Sequence, residues 1–282
     1  MIYDKYEGNT VSVHIENIDD KDPYTAIGAK AFLSCKNIYE IELPETIHEI
    51  GDWAFAHMKE LKRIIVPAEK ISIGKAAFLD CDNLQEIVVY PDDSGNQGLS
   101  FLLASCITIL KAASLLDFNM AAKDNKQWCE YYDKALLDFV YQADEKGFQP
   151  VIVGWFNDEG EEEQLARFVE KVKSDKTKLS LLRLKYDSNI ADETKAALLS
   201  YLRKQIDKIH DYESFEWEIL REELSGDIQY VKLCVENDLL SGDLILELIK
   251  YLNDNNISAE TVSFLVLSLN EKSKNIDQQF EL

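Results

Sequence analysis

A unit of 23 residues recurs three times near the start of the chain, and this repeat constrains the fold more than any other feature. An Ile-Gly pair marks each unit, at Ile27-Gly28, Ile50-Gly51 and Ile73-Gly74. Each pair is followed by Ala-Phe, by a Cys or Met, by an Ile or Leu, and by two apolar residues with one residue between them. Eight columns that match in one register indicate three copies of one structural unit.

The columns predict a stack of coils. The alternating apolar positions predict one short strand in each unit, and the Ala-Phe segment predicts an apolar turn or a helical segment. The strand positions are Ile41 and Leu43, Ile64 and Val66, and Ile87 and Val89. One unit cannot bury its apolar side alone, whereas stacked copies bury a continuous column. The three glycines are expected at sharp turns or close contacts. Pro44 and Pro67 end their strands, because proline offers no N–H to a ladder.

Residues 27–91 resemble the BspA-like leucine-rich repeats, whose unit reads I-G-x-x-A-F-x-x-C-x-x-L-x-x-I-x-L-P. The resemblance implies an α/β solenoid with parallel strands on one face. It also implies a role in interaction, because the members are known mostly as surface or interaction proteins of bacteria and some protists. The departures are conservative for packing: Met58 in the Cys column, Trp53 before Ala54, and a proline shifted to Pro91. Residues 11–15 form either a capping strand or a degenerate repeat.

The outward positions of the predicted strands form a candidate protein-binding face. Side chains alternate across a strand, so the residues between the apolar positions point outward. One outward column reads Glu, Arg, Glu and predicts a ladder of salt bridges, while the next reads Glu, Ile, Val with tyrosines nearby. The candidate residues are Tyr39, Glu40, Glu42, Arg63, Ile65, Glu86, Val88 and Tyr90. Either a partner binds this face, or the C-terminal domain or a sister subunit covers it.

A polar, glycine-containing stretch ends the repeat pattern, and the predicted boundary separates a solenoid domain, 1–98, from an all-helical domain, 99–282. The run 102–116 predicts a helix that caps the last coil, and helical spacing recurs along the rest of the chain. The helix pairs predicted over 212–270 are similar to ankyrin units. Residues 181–202 look like the helical tail of some bacterial repeat proteins. The run 150–155 is either a strand or a buried turn.

Composition narrows the possible partners and the compartment. A formal net charge of −22 repels nucleic acid and anionic membranes. No apolar run reaches the length that spans a bilayer. Five cysteines without close pairing indicate reduced thiols in a cytoplasmic protein, and the start of the sequence shows no signal peptide. The alternative is an exported protein whose signal peptide has been removed. The oligomeric state is left open.

No motif predicts catalysis, a cofactor or a metal site. The four histidines lack metal-ligand spacing, and the sequence contains no nucleophile elbow, P-loop or dinucleotide fingerprint. The acidic run 158–163 is typical of a solvated loop and a first helical turn, although it could bind a cation or a basic partner. The four tryptophans favour core packing over sugar stacking.

These observations favour a non-enzymatic protein–protein interaction module or scaffold that binds through the strand face or a groove between the domains. One alternative is an exported, adhesin-like binder of host or matrix components. Another is an enzyme or glycan binder with a site in the helical domain, near Trp155 and the acidic run. An analogy at the level of the fold does not by itself establish any of the three.

Overall fold

The computed structural model describes residues 1–17, 19, 21–91, 98–150 and 160–280, with side chains as far as residue 271. The chain forms two compact units. The first comprises Met1–Phe139 and Tyr186–Ala191, and the second comprises Val140–Lys185 and Asp192–Leu282.

The first unit begins as a parallel solenoid of about four turns. Its strands are β1 (Ile2–Tyr3), β2 (Ser12–His14), β3 (Ala26–Ile27), β4 (Glu40–Glu42), β5 (Glu49–Ile50), β6 (Arg63–Pro67), β7 (Ser72–Ile73) and β8 (Glu86–Tyr90). The odd-numbered strands form one parallel sheet, here sheet A, and the even-numbered strands form another, sheet B. The prediction of a parallel solenoid is confirmed. The expectation of one strand per unit is wrong, because each Ile-Gly pair lies at the end of an additional two-residue strand.

The Ala-Phe segments form turns, and these turns are also joined from coil to coil. Main-chain N–H groups of one coil donate to carbonyls of the next, and the donors are Lys30, Phe32 and Ser34, then Trp53, Phe55 and His57. Left-handed backbone angles recur in two columns of these turns, at Lys30, Trp53 and Ala76, and at Ser34, His57 and Asp80. This bonding satisfies main-chain groups on a third side of each coil, which a buried turn requires.

The solenoid core repeats the same contacts in three successive coils. Phe55 is fully buried and stacks on Phe32 at 5.3 Å and on Phe78 at 5.2 Å between ring centroids. Ile41, Ile64 and Ile87 form a second buried column in register. The glycines permit close approach of the coils, since a Cβ atom on Gly74 would lie 2.5 Å from the main-chain nitrogen of Asp52.

Strand β2 decides between the two interpretations of residues 11–15. It pairs with β4 in the same parallel order as the later strands, with Ser12 opposite Glu40 and His14 opposite Glu42. Val13 and Ile15 are buried, as the equivalent residues of later coils are. The segment is therefore a degenerate repeat coil.

Three helices and a short 3₁₀ turn complete most of the first unit. They are α1 (Leu99–Thr108), the 3₁₀ turn Ala113–Leu115, α2 (Phe118–Lys123) and α3 (Asn125–Tyr141). Helix α1 packs against β8, as the sequence predicts, although it ends at Thr108 instead of residue 116. In α2, the side-chain amide of Asn119 donates to the carbonyl of Ala68 at 3.1 Å. The domain boundary after residue 98 stays a prediction; it marks the end of the repeat pattern, whereas the first compact unit continues into α3.

In the described part of the second unit, the regular elements are helices joined by turns. Its helices are α4 (Glu161–Lys185), α5 (Asp192–Ile206), α6 (Phe215–Gly226), α7 (Ile228–Glu236), α8 (Gly242–Asp254) and α9 (Ala259–Phe280). The predicted acidic first turn is present in α4, at residues 161–163. Residues 151–155, which the sequence assigns to a strand or a buried turn, lie outside the described residues, as do residues 158 and 159 of the acidic run.

Side-chain caps fix the starts of the last three helices. The Asp227 carboxylate accepts from the Gln229 N–H, and the Ser241 hydroxyl accepts from the Leu244 N–H. Ser258 caps α9 in the same way, through the Thr261 N–H at 3.2 Å. Each cap satisfies an N–H group that the first turn of its helix leaves free. The likeness of 212–270 to ankyrin units stays a prediction.

Candidate functional site

The outward side of sheet B carries the candidate residues in two columns, which we call the ladder face: Glu40, Arg63 and Glu86 in the first column, and Glu42, Ile65 and Val88 in the second. The strand pairing sets Glu40 opposite Arg63 and Arg63 opposite Glu86. It likewise sets Glu42 opposite Ile65 and Ile65 opposite Val88. The alternation read from the sequence thus predicts the register of this sheet.

The first column of the ladder face is a chain of ion pairs. Nη1 of Arg63 lies 3.0 Å from Oε2 of Glu40, and Nε of Arg63 lies 3.6 Å from Oε2 of Glu86. The Ser12 hydroxyl extends the column by donating to Oε1 of Glu40 at 3.4 Å. Because these groups are partly exposed, each pair contributes only about 0–1 kcal/mol to stability. One arginine serves two carboxylates, so the column retains a net negative charge.

The second column of the ladder face changes from polar to apolar along the solenoid. It begins at His14, whose Nδ1 lies 2.8 Å from Oε2 of Glu42. It continues through Ile65 and Val88, which are half-buried, whereas their neighbours Ile64 and Ile87 are fully buried in the core. Two adjacent branched side chains beside carboxylates offer both apolar contact area and charge to a partner.

The two candidate tyrosines flank the ladder face. Tyr39 precedes β4 and is 40% exposed, with Nζ of Lys62 lying 5.3 Å from its ring centroid. Tyr90 ends β8 opposite Pro67 and is 59% exposed. Exposed tyrosines are frequent in binding surfaces, because a rigid ring adds apolar area and the hydroxyl adds a polar group.

The structure adds residues that the sequence analysis did not single out for this face. Ser12 and His14 extend the two columns by one coil, and Lys62 lies over Tyr39. The alternation of Val11, Val13 and Ile15 was the signal for Ser12 and His14, because residues between the apolar positions of a strand point outward. Recognising that strand as a repeat coil would have placed both residues on the face.

The described residues contain no group of three or more His, Cys, Asp or Glu side chains that could hold a metal ion. The five cysteines, all of them within the described residues, form no disulfide. Burial raises the pKa of Cys35, Cys106 and Cys234, and raises that of Cys81 to about 11. A raised pKa keeps a thiol protonated, which is the opposite of what a nucleophilic cysteine needs.

One column of the turns has the residue types of a catalytic triad. Ser34, His57 and Asp80 occupy equivalent positions in three successive coils, and Nδ1 of His57 lies 3.0 Å from Oδ2 of Asp80. Within the described chain, however, no hydrogen bond joins the exposed Ser34 hydroxyl to His57. The histidine–aspartate contact is therefore present without the nucleophile–base contact that catalysis requires.

An open pocket of about 380 Å³ lies beside α3 in the first unit, with Trp128, Tyr131 and Asp117 in its wall. Asp117 caps α2 by accepting from the Met120 N–H, and the Trp128 indole donates to the Leu115 carbonyl at 2.8 Å. Both polar groups therefore have structural roles. Trp155, where the sequence placed a possible enzymatic or glycan site, lies outside the described residues.

The parallel coils, the consensus columns and the outward ladder define a leucine-rich repeat solenoid. The family model of the BspA type leucine-rich repeat region matches residues 10–112, in six copies. The repeats of this region are therefore of the BspA type, as the sequence predicts. The match counts six copies where the described strands form about four turns, and its last part lies on α1. It covers little more than a third of the chain. No curated protein and no solved structure matches the chain.

The family match supports a general statement about function and no specific partner. Leucine-rich repeats are generally protein-interaction modules, and the family is generally non-enzymatic. Among the described residues, no helix has both the length and the apolarity needed to cross a membrane.

Proposed function

We propose that the protein binds another protein through the ladder face, with Tyr39 and Tyr90 at its margins. The observation that carries the proposal is the strand register, which places a charged column beside two half-buried aliphatic side chains on one face of sheet B. A partner would bury the aliphatic pair at the centre and leave the ion pairs at the rim. This is the usual arrangement of a protein interface.

The test is an affinity pull-down with the tagged protein, in which the double variant Ile65→Lys/Val88→Lys is compared with the wild type. The variant places two charges where the proposal needs apolar contact, so a specific partner should bind the wild type and be lost from the variant. Circular dichroism and the thermal midpoint should stay near the wild-type values, because both side chains are already partly exposed.

A matched control carries the same two charges on the turns of the same solenoid. Leu33 and Leu79 are exposed there, and Leu33→Lys/Leu79→Lys should retain the partner. Equal loss of the partner from both double variants would contradict the assignment to the ladder face, and unchanged binding by Ile65→Lys/Val88→Lys would do so as well.

The proposed location is the cytoplasm. The support is chemical: none of the five cysteines, all of which the structure describes, forms a disulfide, and four of them are buried. Free buried thiols are typical of proteins from reducing compartments. Fractionation of the native cells, with antibody detection of this protein, should recover it with cytoplasmic markers. Recovery at the cell surface would favour the adhesin-like alternative instead.

A further inference from the structure

The ladder face carries more negative than positive charge, and this surplus has a defined position. Arg63 is shared between Glu40 and Glu86, so three charged side chains in the first column leave one negative charge uncompensated. In the second column, the carboxylate of Glu42 lies next to the imidazole of His14.

The negative charge lies beside the apolar pair at distances that one short peptide can span. Adjacent parallel strands are about 4.8 Å apart, so Glu42 lies one strand from Ile65 and two strands from Val88. Alternate residues of an extended peptide are about 6.6 Å apart and point to the same side. A peptide that crosses the strands can therefore place one side chain near Glu42 and the next on the same side over Ile65 and Val88.

We propose that the partner presents a basic residue next to an aliphatic or aromatic residue on one side of an extended segment. This inference rests on the proposed function of the ladder face. Lysine or arginine would compensate the charge of Glu42 and of the first column, and the apolar residue would cover Ile65 and Val88. The basic side chain gives specificity and speeds association more than it adds affinity.

The net charge of the whole chain disfavours a partner segment that is rich in acidic residues. With 52 acidic and 30 basic residues, the protein repels acidic segments at long range and attracts basic ones. Two copies of the ladder face would also bring their acidic columns together, so a symmetric dimer through this face is disfavoured.

A library of random linear peptides displayed on phage supplies the probe. Selection on the wild-type protein is followed by removal of phage that bind the Ile65→Lys/Val88→Lys variant. The remaining peptides should be enriched in lysine or arginine near aliphatic or aromatic residues, relative to the unselected library. The tightest of them is then synthesised for affinity measurements.

Two single variants test the charge on one coil. Glu42→Gln should weaken the binding of the synthetic peptide about two- to fivefold, which is the range expected for the loss of a partly exposed ion pair. The loss should shrink as salt is raised, because salt screens exposed charges. Glu49→Gln is the matched control, since Glu49 is an exposed glutamate of the same coil that lies in sheet A. It should leave the affinity unchanged.

The outcomes separate the two proposals. Peptides that depend on the ladder face but show no enrichment in basic residues, or that bind Glu42→Gln and the wild type equally, would overturn the inferred partner chemistry and leave the face as the binding site. If no enriched peptide distinguishes the wild type from the double variant, both the partner chemistry and the proposed function of the face fail.

Discussion

Stacking contacts in the solenoid recur from coil to coil, whereas the contacts of the buried Lys176 in the unit of α4–α9 are set by no repeat in the sequence. The stacking of Phe32, Phe55 and Phe78 repeats at nearly equal distances. In the helical unit, Lys176 is 1% exposed and its Nζ donates to the Gln142 carbonyl and to Oδ1 of Asp144, each at 2.6 Å. The stability of the solenoid therefore depends on the register between its coils. The contacts of Lys176 in the helical unit depend on particular residues that do not recur in a sequence repeat.

The largest effect that tests this comparison is expected at the centre of the phenylalanine stack. Phe55→Ala should lower the free energy of unfolding by about 3–5 kcal/mol, because it leaves a cavity between two neighbouring rings. Urea unfolding measures the loss, and amide hydrogen exchange locates it. Exchange should accelerate in β4, β6 and β8, since the coils share one core, and stay slow in α8.

Leu33→Ala is the control for Phe55→Ala, because Leu33 is an exposed residue of the same solenoid. Its effect should stay below about 1 kcal/mol. A loss of similar size from both variants, or faster exchange confined to the coil of Phe55, would contradict the view that the coils are stabilised jointly.

A second, smaller effect should have opposite signs in the two units. Gly74→Ala should destabilise by about 1–3 kcal/mol, because the new methyl group would meet the main chain of the preceding coil. Gly226 ends α6, and no atom lies within 4 Å of the position of an added Cβ. Gly226→Ala should therefore stabilise by up to about 1 kcal/mol, since alanine favours helix. Thermal midpoints measure both changes, and a change of the same sign in both would refute the comparison.

The smallest effect concerns the pH dependence of the helical unit. Burial raises the pKa of Glu223 on α6 above its usual value, although Lys178 opposes the shift. The folded state then binds a proton more tightly than the unfolded state, so this glutamate lowers stability as the pH rises from about 4.5 through its raised folded pKa. Glu223→Gln should remove this decline and gain stability at neutral pH.

Free energies of unfolding measured between pH 4 and 8 provide the test for Glu223. Glu218→Gln is the control, because Glu218 is an exposed carboxylate of the same helix. A difference between the wild type and Glu223→Gln that does not vary with pH would show that the carboxyl group is not destabilised by burial.

The difference between the units also explains what the sequence can predict. Each position of the repeat occurs in three copies, so a departure in one copy, such as Met58 in the cysteine column, does not hide the pattern. The pairing of Glu40, Arg63 and Glu86 follows from the repeat spacing alone. The additional strands of sheet A were missed because two residues are too few to show alternation. The left-handed turns were missed because residues such as Trp53 and Ala76 carry no signal for that conformation.

The sequence of the helical unit shows no repeat as clear as that of the solenoid, so its tertiary contacts cannot be predicted by comparing copies. The helix starts at Asp227, Ser241 and Ser258 carry capping side chains, and capping is a local property that the sequence shows directly. The burial of Lys176 was not predicted, since it depends on a carbonyl and a carboxylate more than thirty residues away in sequence. Helix α4 runs from Glu161 to Lys185 and packs against α6 and α7, which lie far from it in sequence, so its length cannot be predicted from local signals alone.

The constant register of the coils bears on how such a protein can change length in evolution. A tandem duplication of 23 codons, in frame, would insert a complete coil with its own glycine, phenylalanine and strand. Every column would continue through the insert, and α1 would still meet the coil that carries β8. Each such event would lengthen the outward surface of sheet B by about 4.8 Å. In-frame duplications can thus lengthen this surface by whole coils, and no new core has to evolve.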